Sequence, residues 1–410
     1  MHYIKFVLKS TLSCFHSPIF SGILAFCIYA IFAAQRGSII STSSAPYFNY
    51  LADAFLHGQL SLRLIPANLH DLAFYNGQTY MYWPPFPAVL LMPFVAIFGV
   101  GFSDVLFTIA IGALNITLVA YTLRLLDTLD IMPIDADRRG ILTIFFAFGT
   151  VHLLLSSLGG VHFTSQIIAF LCSILVFLAA VRYKGYQAFF GFGLALACAA
   201  LTRNHLILLG IWPAYYLFQS HKHEGWVRLL SYFCAAALCI FTGLILNGLY
   251  NQVRFGDIFE AGVAYQQLGS FFQANYQKYG LLNIHYFRTD FYYTFLFYPF
   301  PLREETFMGG SLFLLSPLFF AAIWAVISSS NRRLSVILWL TVAAVSLPIL
   351  IAIGTGFSTF GPRYTLDFTM PLLLLTAIGA EKWPNWLIVI LTMISVAHYY
   401  IGTLFFVISN

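Results

Sequence analysis

The chain has 410 residues, of which 60% are hydrophobic and only 9% charged, against roughly a quarter charged in an ordinary soluble domain. With a mean hydropathy of +0.83, this excludes a soluble enzyme, a disordered chain and a disulfide-stapled secreted domain. The net charge of +5 decides little, because in a bilayer the side on which Lys and Arg lie matters more than their sum.

At about 20 apolar residues per span, the sequence reads as an all-α polytopic membrane protein with a single membrane domain over 1–410. Residues 1–16 carry Lys5 and Lys9, and the apolar run from Pro18 to Ala34 reads as an uncleaved first helix. The following stretch, from 35 to 83, is too polar to span. In it Tyr47, Tyr50, Leu51, Ala54 and Phe55 recur at helical spacing and Gly58 closes the pattern, which predicts an interfacial helix carrying Asp53. Asp71 follows His70 in a turn-rich segment, and Asn76-Gly77 marks a tight turn. Tyr75, Tyr80, Tyr82 and Trp83 supply aromatic faces at interface depth. The run 84–100 opens with Pro84-Pro85 and holds Pro87 and Pro93. Proline removes helical hydrogen bonds, so this run is expected to lie on the membrane surface or dip into it. Segment 35–102 is then one outer loop with interfacial helices.

Further apolar runs lie near 103–125, 140–158, 163–181, 187–201, 205–218, 229–250, 306–327, 334–354, 367–380 and 386–408, with a second polar loop at 251–305. With 84–100 excluded there are about 11 spans. The short-loop basic residues then sort to one side: Lys5, Lys9, Arg124, Arg138, Arg139, Arg182, Lys184, Lys222, Arg228, Arg332, Arg333 and Lys382. The positive-inside rule makes that side cytoplasmic and places the N-terminus there. Both long loops, Arg203 and Arg363 face out. Most loop carboxylates are on the outer side, among them Asp53, Asp71, Asp257 and Glu260. Chemistry is therefore expected there. The six cysteines form no CxxC pair and no cluster with histidine, and read as small apolar residues.

Four ordered segments resemble the GT-C membrane glycosyltransferases, which include protein O-mannosyltransferases, lipid A aminoarabinose transferases and bacterial relatives. The first outer loop has an acidic residue, an Asn-Gly turn, a Tyr, and a Pro-Pro pair opening a helix that ends in Phe-Gly. LTRNHLILLG (201–210), NQVRFGDIFEAG (251–262) and FGPRYTLDFTMPLLLL (360–375) resemble family segments in the same order. Family members commonly have a carboxylate just after the first helix, where this chain has Ser43-Ser44-Ala45-Pro46-Tyr47. A second acidic position is matched here by His162.

The resemblance implies a GT-C-like bundle that transfers a sugar from a polyprenyl-phosphate donor to a hydroxyl on a glycan, lipid or protein acceptor. It implies multi-pass residence in a bacterial inner membrane and no nucleic-acid partner. Such a transfer needs a base for the acceptor proton and cations for the departing lipid phosphate. Asp71 and, second, Asp53 are the candidate bases. Arg363, Arg203 and Arg254 are the candidate phosphate ligands. His70, Tyr80, Tyr82, His162, Asp257, Glu260 and Tyr364 are candidates for the acceptor or sugar pocket. No cofactor is specified, and Asp257 with Glu260 leaves room for a divalent ion without defining a site. A transporter or flippase is the alternative from another class, disfavoured because ionisable residues are scarce within the spans. An envelope polysaccharide polymerase or ligase is the third reading.

Overall fold

The computed structural model describes residues 15–37, 39–267, 270–328, 332–356 and 358–409. Lys5 and Lys9 lie outside them. The chain folds as an all-α polytopic membrane bundle. Among the described residues six helices are long and apolar enough to cross a bilayer: α1 (Pro18–Arg36), α4 (Asp104–Thr128), α7 (Val161–Arg182), α10 (Trp226–Phe255), α15 (Arg332–Leu350) and α17 (Asn385–Ser409). Between them run shorter or broken helices. These are α2 (Tyr47–Leu56), α3 (Phe86–Phe98), α5 (Ala136–Phe148) with α6 (His152–Ser156), α8 (Gly185–Ala200) and α9 (Ile211–His221). The chain continues through α11 (Ser270–Tyr279), α12 (Phe287–Phe291), α13 (Leu312–Leu315), α14 (Ala321–Ser328) and α16 (Thr369–Gly379). In a hydrocarbon environment helices associate by close packing of small residues rather than by the hydrophobic effect. Gly379 of α16 shows this: any Cβ there would collide with the backbone of Ala321 and Ala325 in α14.

Hydrogen bonds identify the two ends of the bundle. At one end His16 meets Asp137 at 3.2 Å. Arg138 donates to the carbonyls of Ala380, Glu381 and Trp383 and to Asn385 Oδ1. Arg139 pairs with Asp127, Arg182 Nε donates to Tyr121, and the Gly185 amide donates to His221. The basic short loops thus gather at this end. Both long loops fold over the other end, where the contacts described in the next subsection lie.

Helix α3 begins and finishes at the loop-rich end. The Phe86 amide donates to the Leu201 carbonyl at 3.1 Å. Beyond its C-terminus the carbonyls of Val100 and Phe102 accept from Asn49 Nδ2 at 3.0 and 2.7 Å. Its 13 residues reach about 20 Å, short of a roughly 30 Å hydrocarbon core, and Pro93 lies inside it. Before it, β1 (Leu72–Tyr75) and β2 (Gln78–Met81) form an antiparallel hairpin. Its turn is Asn76-Gly77, with φ of 50° and 75°, the left-handed pair that a two-residue hairpin turn requires.

Candidate active site

A cavity of about 500 Å³ opens at the loop-rich end, with Ser43, Tyr47, His70, Asp71, His162 and Arg363 in its walls. Its parts come from far apart in the chain. Asp71 sits at the start of the hairpin with φ 66°, a left-handed conformation that Asp tolerates better than most residues but still at a cost. The Tyr47 hydroxyl fixes the preceding residue by donating to the His70 carbonyl at 2.8 Å. The Asp71 carboxylate is largely buried and receives two donors, His162 Nε2 at 3.1 Å and Gln266 Nε2 at 2.9 Å. His70 Nε2 is 3.6 Å away. Burial alone would raise the Asp71 pKa, but the His162 bond, the charges of His162 and His70, and Gln266 together hold it below the ordinary carboxylate value. Asp71 is thus an anion at neutral pH. His162 begins α7 and is wedged edge-on against Trp83, ring centroids 5.2 Å apart. Tyr82 stacks on Trp83 at 3.8 Å. Burial, then the neighbouring Asp71 and Tyr364, push its phenol well above the usual value against the opposing pull of Arg363 and Gln266. It remains a hydrogen-bond donor.

Arg363 supplies the positive side. The chain turns sharply at Gly361, φ 84°, and enters a 3-10 turn from Arg363 to Phe368. The Arg363 carbonyl is held by Gln166 Nε2 at 2.9 Å. Its guanidinium lies 5.0 Å from the Tyr364 ring centroid, and the residue is only 7% exposed. Among the described residues Nε has no hydrogen-bond partner, Nη2 donates to the Tyr364 hydroxyl at 3.4 Å, and no carboxylate pairs with Arg363. Arg203 lies at the same distance from the Tyr364 ring but in a different electrostatic state. Asp367, fully buried, lies within ion-pair distance of Arg203 Nε at 3.0 Å, without hydrogen-bond geometry, and accepts from His205 Nε2 at 2.9 Å on the same oxygen. Of the two arginines around Tyr364, one is neutralised and one is not. A buried charge without a counter-ion is costly, and an anion in the cavity would relieve that cost.

The cavity wall is tied together by Asp104, the first residue of α4 and 2% exposed. It accepts from the Ser43 amide at 2.8 Å, the Ser43 hydroxyl at 2.6 Å and the Gly160 amide at 2.7 Å. One carboxylate thus joins the strand after α1 to the turn before α7. Asp104→Ala leaves these donors unsatisfied in a buried place, at about 1–3 kcal/mol for each such group. A clear drop in unfolding temperature, with earlier proteolysis at residues 41–45, is the expected result in detergent. An unchanged melting curve would show that the clamp is dispensable.

Other candidates are held elsewhere. Asp53 does not reach the cavity: both its oxygens are taken by Arg63, through Nε and Nη2 at 3.0 Å each. Arg254 is equally committed. Three of its N–H groups donate to the carbonyls of Tyr250 and Met81 and to Asn251 Oδ1, so it pins the end of α10 to the hairpin, buried and outside the cavity wall. Tyr80 packs on Phe255 and donates to Gln78. Asp257 and Glu260 cap local turns through the amides of Phe259 and Gly262. They do not converge on a point, and no group of three His, Cys, Asp or Glu able to hold a metal occurs among the described residues. His70 and His162 approach opposite oxygens of Asp71, so they too do not form a common ligand set.

Gln266, Asp104 and the Asp367–His205 pair hold groups around the cavity in place, and the sequence alone does not single them out. Gln266 lies in a polar loop among similar residues. Asp104 follows an N-capping Ser103, where a carboxylate ordinarily reads as a helix-dipole partner. Asp367 offered one signal, being a carboxylate four residues after Arg363 at the start of an apolar run.

No family model matches the chain, and no curated protein matches it in sequence. Among solved structures the chain is similar to ArnT from Cupriavidus metallidurans, a lipid A aminoarabinose transferase, in its crystal structure bound to undecaprenyl phosphate. Identity is 14% and the TM-score 0.51, over 89% of this chain and 60% of ArnT. It is also similar to the oligosaccharyltransferase AglB from Archaeoglobus fulgidus in complex with an inhibitory peptide and a dolichol-phosphate. There identity is 13% and the TM-score 0.44, over 93% of this chain and 55% of AglB. The chain thus spans little more than half the length of either. Both are GT-C superfamily members. The likeness to ArnT is one of fold, and this chain has the GT-C-like membrane bundle that its ordered motifs imply.

Proposed function

We propose that the chain is a membrane glycosyltransferase. It moves a sugar from a polyprenyl-phosphate donor to a hydroxyl acceptor at the loop-rich end of the bundle. The observation that carries this reading is Arg363, a buried guanidinium without a carboxylate, sharing one cavity with the anionic Asp71 and its partner His162. Arg363 takes the phosphate of the donor and stabilises the charge that develops as the sugar leaves. The Asp71–His162 pair provides the proton acceptor for the incoming hydroxyl. Tyr82 and Tyr364 offer donors and ring faces to the sugar. Helix α3, with Val89, Phe94, Ile97 and Phe98 exposed, lies beside the site as an apolar wall against which an isoprenoid chain can rest.

The same reading carries a topology. Eleven crossings, made by the six long helices and by α5/α6, α8, the 204–221 segment, 312–328 and 363–379, place both long loops, 35–102 and 251–305, on the outer face. The N-terminus is then cytoplasmic, in a bacterial inner membrane. The gathering of short-loop cations at the opposite end supports it. In a cysteine-free background, Gln78→Cys and Gln277→Cys should react with an impermeant maleimide from outside, and Lys222→Cys only after permeabilisation. Labelling of Gln78→Cys and Gln277→Cys from opposite sides would refute the parity.

The function itself is tested by mass spectrometry of envelope glycans and lipid-linked sugars from cells with and without the protein. Loss of one glycosylated product together with accumulation of a polyprenyl-phosphate sugar is expected. If neither pool changes, the transferase reading fails.

A further inference from the structure

Asp71 is poorly placed to take a proton directly. Both its oxygens already receive N–H donors, from His162 and Gln266, and His70 crowds the second of them. Its burial is relieved by these contacts, which favour the anion and so weaken it as a base. His162 is in the complementary situation. A carboxylate can only accept, so the contact at 3.1 Å places the imidazole proton on Nε2. That leaves Nδ1 as a lone-pair acceptor, and Nδ1 has no partner among the described residues. The ring lines the cavity and its side chain is 35% exposed, so substrate can reach it. Trp83 holds the ring edge-on, and the Gly160 amide immediately before α7 is tied down by Asp104. The charged and titratable groups around it are Asp71, Arg363 and His70.

We propose that His162 is the catalytic base of the transfer and that Asp71 is its positioning residue; this rests on the glycosyltransferase reading. The acceptor O–H bond breaks and its proton passes to His162 Nδ1. The electron pair of that oxygen forms the new bond to the anomeric carbon. The bond from that carbon to the phosphate oxygen breaks, and its electron pair leaves on the phosphate beside Arg363. The imidazolium formed is stabilised by the Asp71 carboxylate on its far nitrogen and returns its proton to water. An imidazole is intrinsically more basic than an aspartate carboxylate by about 2.5 pKa units; burial disfavours the charged form of His162, and the Asp71 contact opposes that penalty. The chain thereby places a histidine–carboxylate pair where a carboxylate alone would be a weaker acceptor.

Chemical rescue separates this from a purely structural role. Membranes from producing cells, carrying their own donor and acceptor, are assayed for formation of the glycosylated product. His162→Gln keeps a donor for Asp71 but has no basic nitrogen, and should lose at least about 100-fold in rate. His162→Gly should be equally impaired and should regain turnover when free imidazole is added. Asp71→Gly should not respond to formate, because its carboxylate does not take the proton. Near-wild-type turnover in His162→Gln, or formate rescue of Asp71→Gly without imidazole rescue of His162→Gly, overturns the assignment and returns the base role to Asp71. If wild-type membranes form no product from the lipid-linked donor, the transferase reading falls first and this assignment with it. Binding of undecaprenyl phosphate, followed by native mass spectrometry, should be unchanged in His162→Gln. Loss of that binding would mean a collapsed cavity and would also count against a specific role in proton transfer.

Discussion

Arg363→Lys should weaken donor binding by about 10- to 100-fold while the protein folds and inserts normally. Lysine keeps the positive charge but loses the planar fork that can grip two phosphate oxygens. It also loses the flat face that lies 5.0 Å from the Tyr364 ring. The expected effect is large because the Tyr364 hydroxyl, which accepts from Nη2 at 3.4 Å, carries no charge to compensate this group. Its residue is 7% exposed and lacks a carboxylate among the described residues, so the whole counter-charge must come from the ligand. The contrast is Arg203→Lys. Arg203 already has Asp367 at 3.0 Å, so its substitution should disturb that buried pair and lower stability more than it lowers affinity. Native mass spectrometry with undecaprenyl phosphate, beside turnover at matched expression, reads both variants. Wild-type affinity in Arg363→Lys would remove Arg363 from the phosphate site, and equal losses of affinity in both would show that the two arginines share it.

What the sequence made legible is local. Four prolines within 84–100 are enough to predict a run that lies on the membrane surface or dips into it, and both ends of α3 lie at the loop-rich end of the bundle. Asn76-Gly77 specifies the hairpin turn through backbone sterics alone. Asp71, His162, Tyr82 and Arg363 were all identified as candidates, and the fold brings them to one region. The failures have a common cause. Arg254 and Arg363 look alike in sequence, each a cation two residues from a glycine at the edge of an apolar run. What separates them is a partner from elsewhere: the carbonyl of Met81, 173 residues away, reaches Arg254, whereas among the described residues only the neighbouring Tyr364 hydroxyl accepts from the Arg363 guanidinium. Gln266 finds Asp71 across 195 residues, and Arg63 finds Asp53 by a loop path that no periodicity encodes. Composition supplies the charged groups. Which of them remain uncompensated, and hence available to a substrate, is decided by long-range contacts.

Asp71→Asn should lower turnover by at least about 100-fold, and Asp53→Asn should leave turnover per folded molecule close to wild type. The two carboxylates sit on the same long loop and share a residue type, so the comparison isolates position. In Asp71→Asn the amide is close to the same size and still fills the space between His162 and Gln266. Its oxygen can accept from only one of them, and its NH2 then faces the other donor. If the amide turns its NH2 toward His162, it donates to Nε2 and drives the imidazole proton to Nδ1, the atom that must be free to accept; the wrong tautomer is then the stable one. If the oxygen faces His162 instead, the charge that stabilises the imidazolium is still gone. Either way the proton transfer suffers, while Arg363 and the donor phosphate are untouched, so the loss should appear in turnover with little change in donor affinity. Asp53→Asn breaks the two-pronged contact with Arg63 and acts on the anchoring of α2, with no group of the cavity altered. Its signature is a lower unfolding temperature at retained turnover. The reverse pattern, with Asp53→Asn inactive and Asp71→Asn active, would place the chemistry on the α2 side of the loop and away from His162.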